Sequence, residues 1–395
     1  MAGAEACAGP EPLLRAAAAA LVLGDAGAAC RASARALAAA RSAGSAALVP
    51  RALEYLAYGE LRAGRHAQAR THAEEGVRAA RRAGQRNAAA HLHAVLALAA
   101  SAEGDASAVA RHAAAALDTA RRHGLAQTAT LARWAVARDE LARGHAVEAA
   151  ARLGPLVGAG TAAVRLGADG TGGAAGHFAV RVLAMPCFVE AAALAGRAEA
   201  AGAVVEQFAV WASLGADAQA PAQLARCRAL LAPSDAGPWY EEALRRHEVA
   251  GGAFERGRTL LLYGKWLRRR RRPREAGTRL REALVEFEEC GARSWAEQAD
   301  SELRAAGSTP RGLRGGALAV LTAQQLRIAR CVAEGATNRE VAVRLSLSPR
   351  TVDHHLRNVF AVLGVRSRVD LARLVDRWDR SGAAVDGEGP GARPR

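Results

Sequence analysis

Alanine, leucine and valine fill long stretches of the first 155 residues, and glycine punctuates them on a fixed period. Gly24, Gly64, Gly104 and Gly144 stand 40 residues apart, and Gly44, Gly84 and Gly124 stand 40 apart between them. Each glycine of the second series closes a similar string: Ala40-Arg41-Ser42-Ala43-Gly44, Ala80-Arg81-Arg82-Ala83-Gly84 and Ala120-Arg121-Arg122-His123-Gly124. Leu37, Val77 and Leu117 lie seven positions before those glycines, and Leu56, Leu96 and Val136 lie eight before Gly64, Gly104 and Gly144. Ala and Leu are strong helix formers, and glycine supplies the left-handed residue that ends a helix. The pattern therefore predicts helix, tight turn, helix, repeated as an α-solenoid in which each hairpin buries its face against its neighbours.

Glycines crowd residues 154–176 and break the phase, which predicts a long loop. Helical hairpins are expected to resume at Phe178–Ala195, turn at Gly196 and continue over Glu199–Leu214. A turn-rich stretch follows at Pro233–Pro238, and a last hairpin is expected from about Trp239 to Ala306. Gly307-Ser-Thr-Pro-Arg-Gly-Leu-Arg-Gly-Gly316 reads as a linker. The expected organisation is helical repeats over 1–155, a Gly-rich loop over 156–176, further repeats over 177–306, a linker over 307–316, a compact unit over 317–380 and a disordered tail over 381–395.

The unit at 317–380 carries complete helix punctuation. Thr322 with Gln325 and Thr337 with Glu340 have the spacing of capping boxes, and Ser348 precedes Pro349 as an N-cap precedes a first-turn proline. Gly335 and Gly364 are stop signals, and Ser367 with Asp370 starts a fourth helix, Ser367–Arg380. Two short helices and a longer third make the helix-turn-helix layout. On the third helix Val352, Leu356, Val359 and Leu363 fall on one face, expected to pack with Ile328, Val341, Ala342 and Leu345. Arg350, Asp353, His354, Arg357 and Asn358 fall on the other.

Composition narrows the classes. Apolar residues make up 51% of the 395 but aromatics only 4%, which predicts an all-α protein and argues against a β-sandwich or parallel-sheet enzyme. The net charge is +15, and all 54 bases but Lys265 are arginine. A basic balance suits a polyanionic partner. Six scattered cysteines without a C-x-x-C pair argue against a disulfide framework or zinc module, and predict a reduced compartment. The longest early apolar run, Ala16–Leu23, is too short to span a bilayer, so a cytoplasmic protein without a membrane partner is expected.

The strings Leu321-Thr322, Ala333-Glu334-Gly335-Ala336-Thr337-Asn338-Arg339-Glu340-Val341-Ala342, Leu347-Ser348-Pro349-Arg350-Thr351-Val352, His355-Leu356 and Leu363-Gly364-Val365 resemble the signature of the LuxR-type helix-turn-helix family. The resemblance implies double-stranded DNA as partner. It makes Asp353, His354 and Arg357 the base-facing candidates and Thr337, Asn338, Ser348, Arg350, Thr351 and Arg368 the phosphate-gripping ones. It also implies a homodimer through the last helix, on an inverted repeat. Many members carry Lys at the position of Asp353; an acid there is repelled by phosphate but can accept from a cytosine amino group. Phe254–Gly264, Arg274-Glu275-Ala276, Phe287 and Gly291–Glu297 resemble the last repeats of the large ATP-binding LuxR-type regulators of actinobacteria. Those begin with a P-loop ATPase module, and no G-x-x-x-x-G-K-[ST] string occurs in this sequence.

Several features admit a plainer reading beside a sharper one. Arg268–Arg272 can be a second polyanion site, but Pro273 and the preceding leucines favour a solvated turn. His66, His72, His91, His93, His112 and His123 lack a completing ligand set, so surface or groove histidines are favoured over a metal site. Trp211, Trp239, Trp266 and Trp295 read as packing residues of the repeats. The expected fold is an all-α, tetratricopeptide-like solenoid followed by a four-helix LuxR-type domain. The expected function is sequence-specific transcriptional regulation, without cofactor, metal or catalysis, with a peptide, protein or small-molecule effector in the solenoid groove. The competing class is a helical-repeat interaction scaffold with a vestigial DNA-binding unit.

Overall fold

The computed structural model describes residues 9–158, 178–214, 216–232, 234–307, 321, 323–345, 347–363, 365 and 367–383. Among them every regular element is helical, and two compact units form, 1–302 and 303–395. In the first unit the helices are α1 (Pro10–Leu23), α2 (Ala26–Ser42), α3 (Val49–Arg62), α4 (His66–Arg82), α5 (Arg86–Glu103), α6 (Ala106–His123), α7 (Ala126–Ala142), α8 (Ala146–Val157) and α9 (Phe178–Leu194). After a 3-10 turn at Ala198–Ala201 come α10 (Gly202–Ser213), α11 (Ala220–Leu231), α12 (Gly237–Ala250), α13 (Ala253–Arg269) and α14 (Pro273–Glu289). The next helix, α15 (Arg293–Ala305), begins in the first unit and ends in the second.

The repeat is built as its period implies. Every glycine of both series has positive φ, from 62° at Gly44 to 98° at Gly24, a conformation open to glycine at little cost. Odd-numbered helices stack in a row, α1 on α3, α3 on α5, α5 on α7 and α7 on α9, while α2, α4, α6 and α8 each pack against the two odd helices that flank them in the chain. The inner helices of this row, α3, α5 and α7, are consequently buried over most of their surface, while α1 at its end buries only Leu14, Ala17 and Leu21. In α5 that includes the whole run Ala94–Ala102, whose sequence is apolar all round except for Ser101.

The two glycine series have different surroundings. Gly44, Gly84 and Gly124 have open space where a Cβ would stand. In the other series Gly24, Gly64 and Gly104 abut the second half of the unit, Asp217 and Trp211 at Gly24, Gly252 at Gly64 and Ser294 at Gly104, whereas Gly144 is open like the first three. The seam is hydrogen-bonded. Arg62 pairs with Asp217 at 3.3 Å, the Trp295 indole N–H donates to Ser101 O at 3.4 Å, and Gln298 Nε2 donates to Leu141 O and Ala142 O. The first hairpins thus meet the later ones at the ends of their inner helices.

Several expectations are corrected. The loop expected from residue 154 starts later: α8 runs through Gly154 to Val157 and is capped by Gly158, φ 76°, while 159–177 lie outside the described residues. Ala220–Leu231, left unassigned between hairpins, is a helix led by Pro221 in its first turn. Residues from Trp239 to Ala306 form not one hairpin but four helices, α12 to α15, divided by Gly251-Gly252, by the turn at Arg270–Arg272 and by Gly291. His66 and His91 are buried and line pockets, the groove form of the expectation: the first packs edge-on against Phe254 and the second lies 3.4 Å from the Thr128 hydroxyl. Of Trp211, Trp239, Trp266 and Trp295, the last is fully buried and the other three are half-buried. The linker from 308 lies outside the described residues.

Arg268 and Arg269 end α13, and Arg270–Arg272 form the turn to α14, with Arg271 at φ 57°. Arg268 pairs with Glu302, Arg272 with Glu275, and Arg270 lies over the Trp266 ring. Arg268 and Arg272 thus face neighbouring acids and Arg270 an indole, which fits the plainer reading.

The second unit holds α16 (Ala323–Ala333), α17 (Asn338–Arg344), α18 (Pro349–Leu363) and α19 (Arg368–Ala383). The last helix runs three residues beyond the expected boundary at Arg380, into the segment expected as tail; 384–395 lie outside the described residues. The core joins Ile328, Ala329 and Val332 of α16, Val341 and Ala342 of α17, Val352, Leu356 and Val359 of α18, and Leu371 and Val375 of α19.

Candidate nucleic-acid interface

The turn between α17 and α18 is fixed by short-range polar chemistry. Thr337 and Glu340 form the reciprocal capping box: Thr337 N–H donates to Glu340 Oε2 at 2.7 Å, and Glu340 N–H donates to the Thr337 hydroxyl at 3.3 Å. The backbone bond from Thr337, followed by its hydroxyl, pulls the Glu340 carboxyl below its ordinary pKa. The Ser348 hydroxyl accepts Thr351 N–H at 3.0 Å and sits 2.7 Å from Thr351 Oγ1, the N-cap that starts α18. Thr322, expected to cap α16, is outside the described residues.

These caps hold α18 with one face buried. Val352, Leu356 and Val359 are at most 4% exposed, and Leu363 packs partly buried against the same core. On the opposite side Arg350, Asp353, His354, Arg357 and Asn358 are all exposed. On that face Arg357 Nη2 lies 3.0 Å from Asp353 Oδ2, and Asn358 Nδ2 lies 3.3 Å from His354 Nε2. The three base-facing candidates therefore share one exposed strip, and Asn358, outside the expected set, belongs to it. The signal for Asn358 was its i+4 spacing from His354. His355 turns partly inward, and burial followed by the neighbouring His354 lowers its pKa.

The phosphate candidates divide into two groups. Thr337, Asn338 and Arg368 meet at the start of α17: Arg368 Nη1 donates to Asn338 Oδ1 at 2.7 Å and Nη2 to Ala336 O at 2.5 Å. Ser348, Arg350 and Thr351 stand at the start of α18, where Arg350 is exposed and the first-turn N–H groups present partial positive charge. Arg339 and Arg344 are also exposed, the latter paired with Glu334 at 3.1 Å. Helix-start N–H groups and flexible arginines favour phosphate oxygens, and an exposed strip of acid, imidazole, guanidinium and amide offers donors and acceptors to base edges.

Residues 319–375 match the family described as bacterial regulatory proteins, luxR family. Proteins named as HTH-type transcriptional regulators in Mycobacterium bovis and in Mycobacterium tuberculosis strain H37Rv are 40% identical over 114 residues, 27% of this chain and 12% of theirs. The transcriptional regulatory protein UhpA of Escherichia coli K12 is 41% identical over 59 residues, 15% of this chain and 30% of its own. The chain thus spans about an eighth of the length of the mycobacterial relatives. Its second unit contains a LuxR-family helix-turn-helix domain.

Proposed function

We propose that this chain is a sequence-specific DNA-binding transcriptional regulator in which α18 enters the major groove. The observation that carries the reading is the division of α18 into a buried apolar face and an exposed strip of Asp353, His354, Arg357 and Asn358. A helix held by its neighbours on one face and presenting side chains of mixed donor and acceptor character on the other has what direct readout needs. Arg357 takes guanine O6 and N7, Asp353 accepts from a cytosine amino group, and His354 and Asn358 meet adjacent edges. Thr337, Asn338, Ser348, Arg350, Thr351 and Arg368 seat the domain on phosphates.

The reading includes a homodimer through α19 on an inverted repeat, and it gives the helical repeats the role of effector- or partner-binding module. It places the protein in the cytoplasm and assigns it no catalytic step. Among the described residues no helix is long and apolar enough to cross a membrane. The test is a mobility shift of promoter fragments by the purified chain at physiological salt, competed with unrelated duplex. Specific retention supports the reading. Equal competition by all duplexes, with the repeats still capturing protein partners, would favour the scaffold instead.

A further inference from the structure

Inside the first unit, where α3, α7, α9 and α13 come together, a pocket is walled by Trp134, Leu183, Pro186 and Phe254 and carries Arg62, His66, Arg138, Asp217, Glu255 and Arg258. Its charges are mostly paired. Arg62 meets Asp217 at 3.3 Å, and Arg258 meets Glu190 and, at 3.1 Å, Glu255. Arg226, fully buried behind, meets Glu255 at 2.7 Å. Four guanidiniums thus face three carboxylates, and Arg138 is the one left over.

Arg138 is 4% exposed, yet among the described residues it has no carboxylate partner. Its Nε donates to Ser101 Oγ at 2.8 Å and its Nη2 to Leu98 O, while Nη1 makes no hydrogen bond among the described residues. The guanidinium lies over Trp134 at 5.6 Å and over Phe254 at 5.4 Å, so aromatic faces hold it between them. Burial, followed by Arg258, pushes its pKa down to about 10, which still leaves it charged. His66 beside it is held neutral, its pKa lowered to about 3 by burial and then by Arg138. Glu255 feels the Arg138 charge but is already paired with Arg226 and Arg258, and the imidazole and aromatic rings add no counter-charge, so this buried cation is incompletely balanced, which is costly.

We propose that this pocket is a binding site for a small organic carboxylate, whose anion pairs with Arg138 and whose apolar body lies against Trp134, Leu183 and Phe254. The inference takes the effector-module reading further and rests on it for its regulatory meaning. The binding itself is measured without DNA, so the two can fail separately.

The experiment is thermal unfolding of the full chain with acetate, isobutyrate or phenylacetate at millimolar concentrations, against phenylacetamide and chloride controls. A carboxylate that binds the folded state raises Tm with the logarithm of its concentration. At least one carboxylate is expected to do so while phenylacetamide does not. Arg138→Gln should weaken the effect by about tenfold or more, the loss of one charge-assisted contact. Should Arg138→Gln not fold, Leu183→Trp, which fills the pocket without touching its charges, should abolish the effect by itself. No Tm rise with any of the three carboxylates, or an equal rise in Leu183→Trp, would overturn the assignment and leave Arg138 as an anchor for Ser101 and Leu98.

Discussion

Arg357 Nη2 lies 3.0 Å from Asp353 Oδ2, one turn apart on the exposed strip of α18. The pair holds the guanidinium along the helix rather than outward. An exposed i,i+4 pair contributes only about 0.3–0.5 kcal/mol, against about 1–3 kcal/mol for a bidentate contact with guanine, so guanine wins the arginine when the strip meets DNA.

The acid leaves a signature that a basic residue would not. Asp353→Asn removes a negative charge from a phosphate-facing surface and frees Arg357. Affinity is expected to rise on every duplex, with discrimination falling at the base pair that Asp353 reads. Titrations against cognate and single-mismatch duplexes check this; tighter binding with unchanged discrimination would remove Asp353 from the reading set.

The second unit should work alone. Its core draws on all four of its own helices, and its caps at Thr337 and Ser348 are local. A fragment of residues 317–383 is expected to be helical by circular dichroism and to shift the promoters that the full chain shifts. A helical fragment without specific binding would place part of the reader in the repeats.

Glycines at the seam should respond to alanine differently from the open ones. Gly84 (φ 68°) and Gly104 (φ 82°) are both left-handed, so each substitution costs about 1–2 kcal/mol from conformation. At Gly84 nothing else is disturbed, whereas at Gly104 the new Cβ would stand 2.7 Å from Ser294 N. Gly104→Ala is therefore expected to lower Tm clearly more than Gly84→Ala. Equal losses by calorimetry would mean that the seam adds little to stability.

This difference marks where the sequence stops being readable. The period, the helix class and the turn glycines follow from local rules, and both series look alike along the chain. Only folding brings Gly104 to Ser294 and Arg62 to Asp217, contacts spanning more than a hundred residues that no spacing announces. Helix α11 passed unseen because Pro221 leads it without a preceding glycine of the series. In the second unit the burial of Val352, Leu356 and Val359 was legible from their period. The Asp353–Arg357 pairing was available from i,i+4 spacing, but the clamp of Arg368 on Asn338 and Ala336 joins α19 to the start of α17 and needed the fold.

Glu54 gives the first unit a pH dependence of known sign. Burial, opposed by Arg51, pushes its pKa up to about 7 from 4.5. The folded state favours the neutral acid, so its contribution is full below about 4.5 and is lost as pH rises through 7. Glu54→Gln is thus expected to raise Tm at pH 8 relative to the parent, with the gain shrinking toward pH 4. His66 and His247, lowered to about 3 chiefly by burial, act the other way: their contribution is present above pH 6.5 and is lost on acidification. Because both proteins carry those histidines, the difference in Tm between variant and parent isolates Glu54. A gain independent of pH would contradict the burial of its charge as the cause.

The central claim, that the exposed strip of α18 reads sequence, is tested most directly by selecting bound duplexes from a random library with three full-length proteins. These are the parent, Arg357→Ala, and a variant with Arg268–Arg272 replaced by glutamine. The parent is expected to enrich an inverted repeat. Arg357→Ala should enrich the same repeat with one guanine position in each half relaxed, at a cost of about 1–3 kcal/mol on the parent site. The glutamine variant should recover the parent repeat unchanged. Enrichment of no motif by the parent, or loss of base preference in the glutamine variant with Arg357→Ala unaltered, would contradict the account.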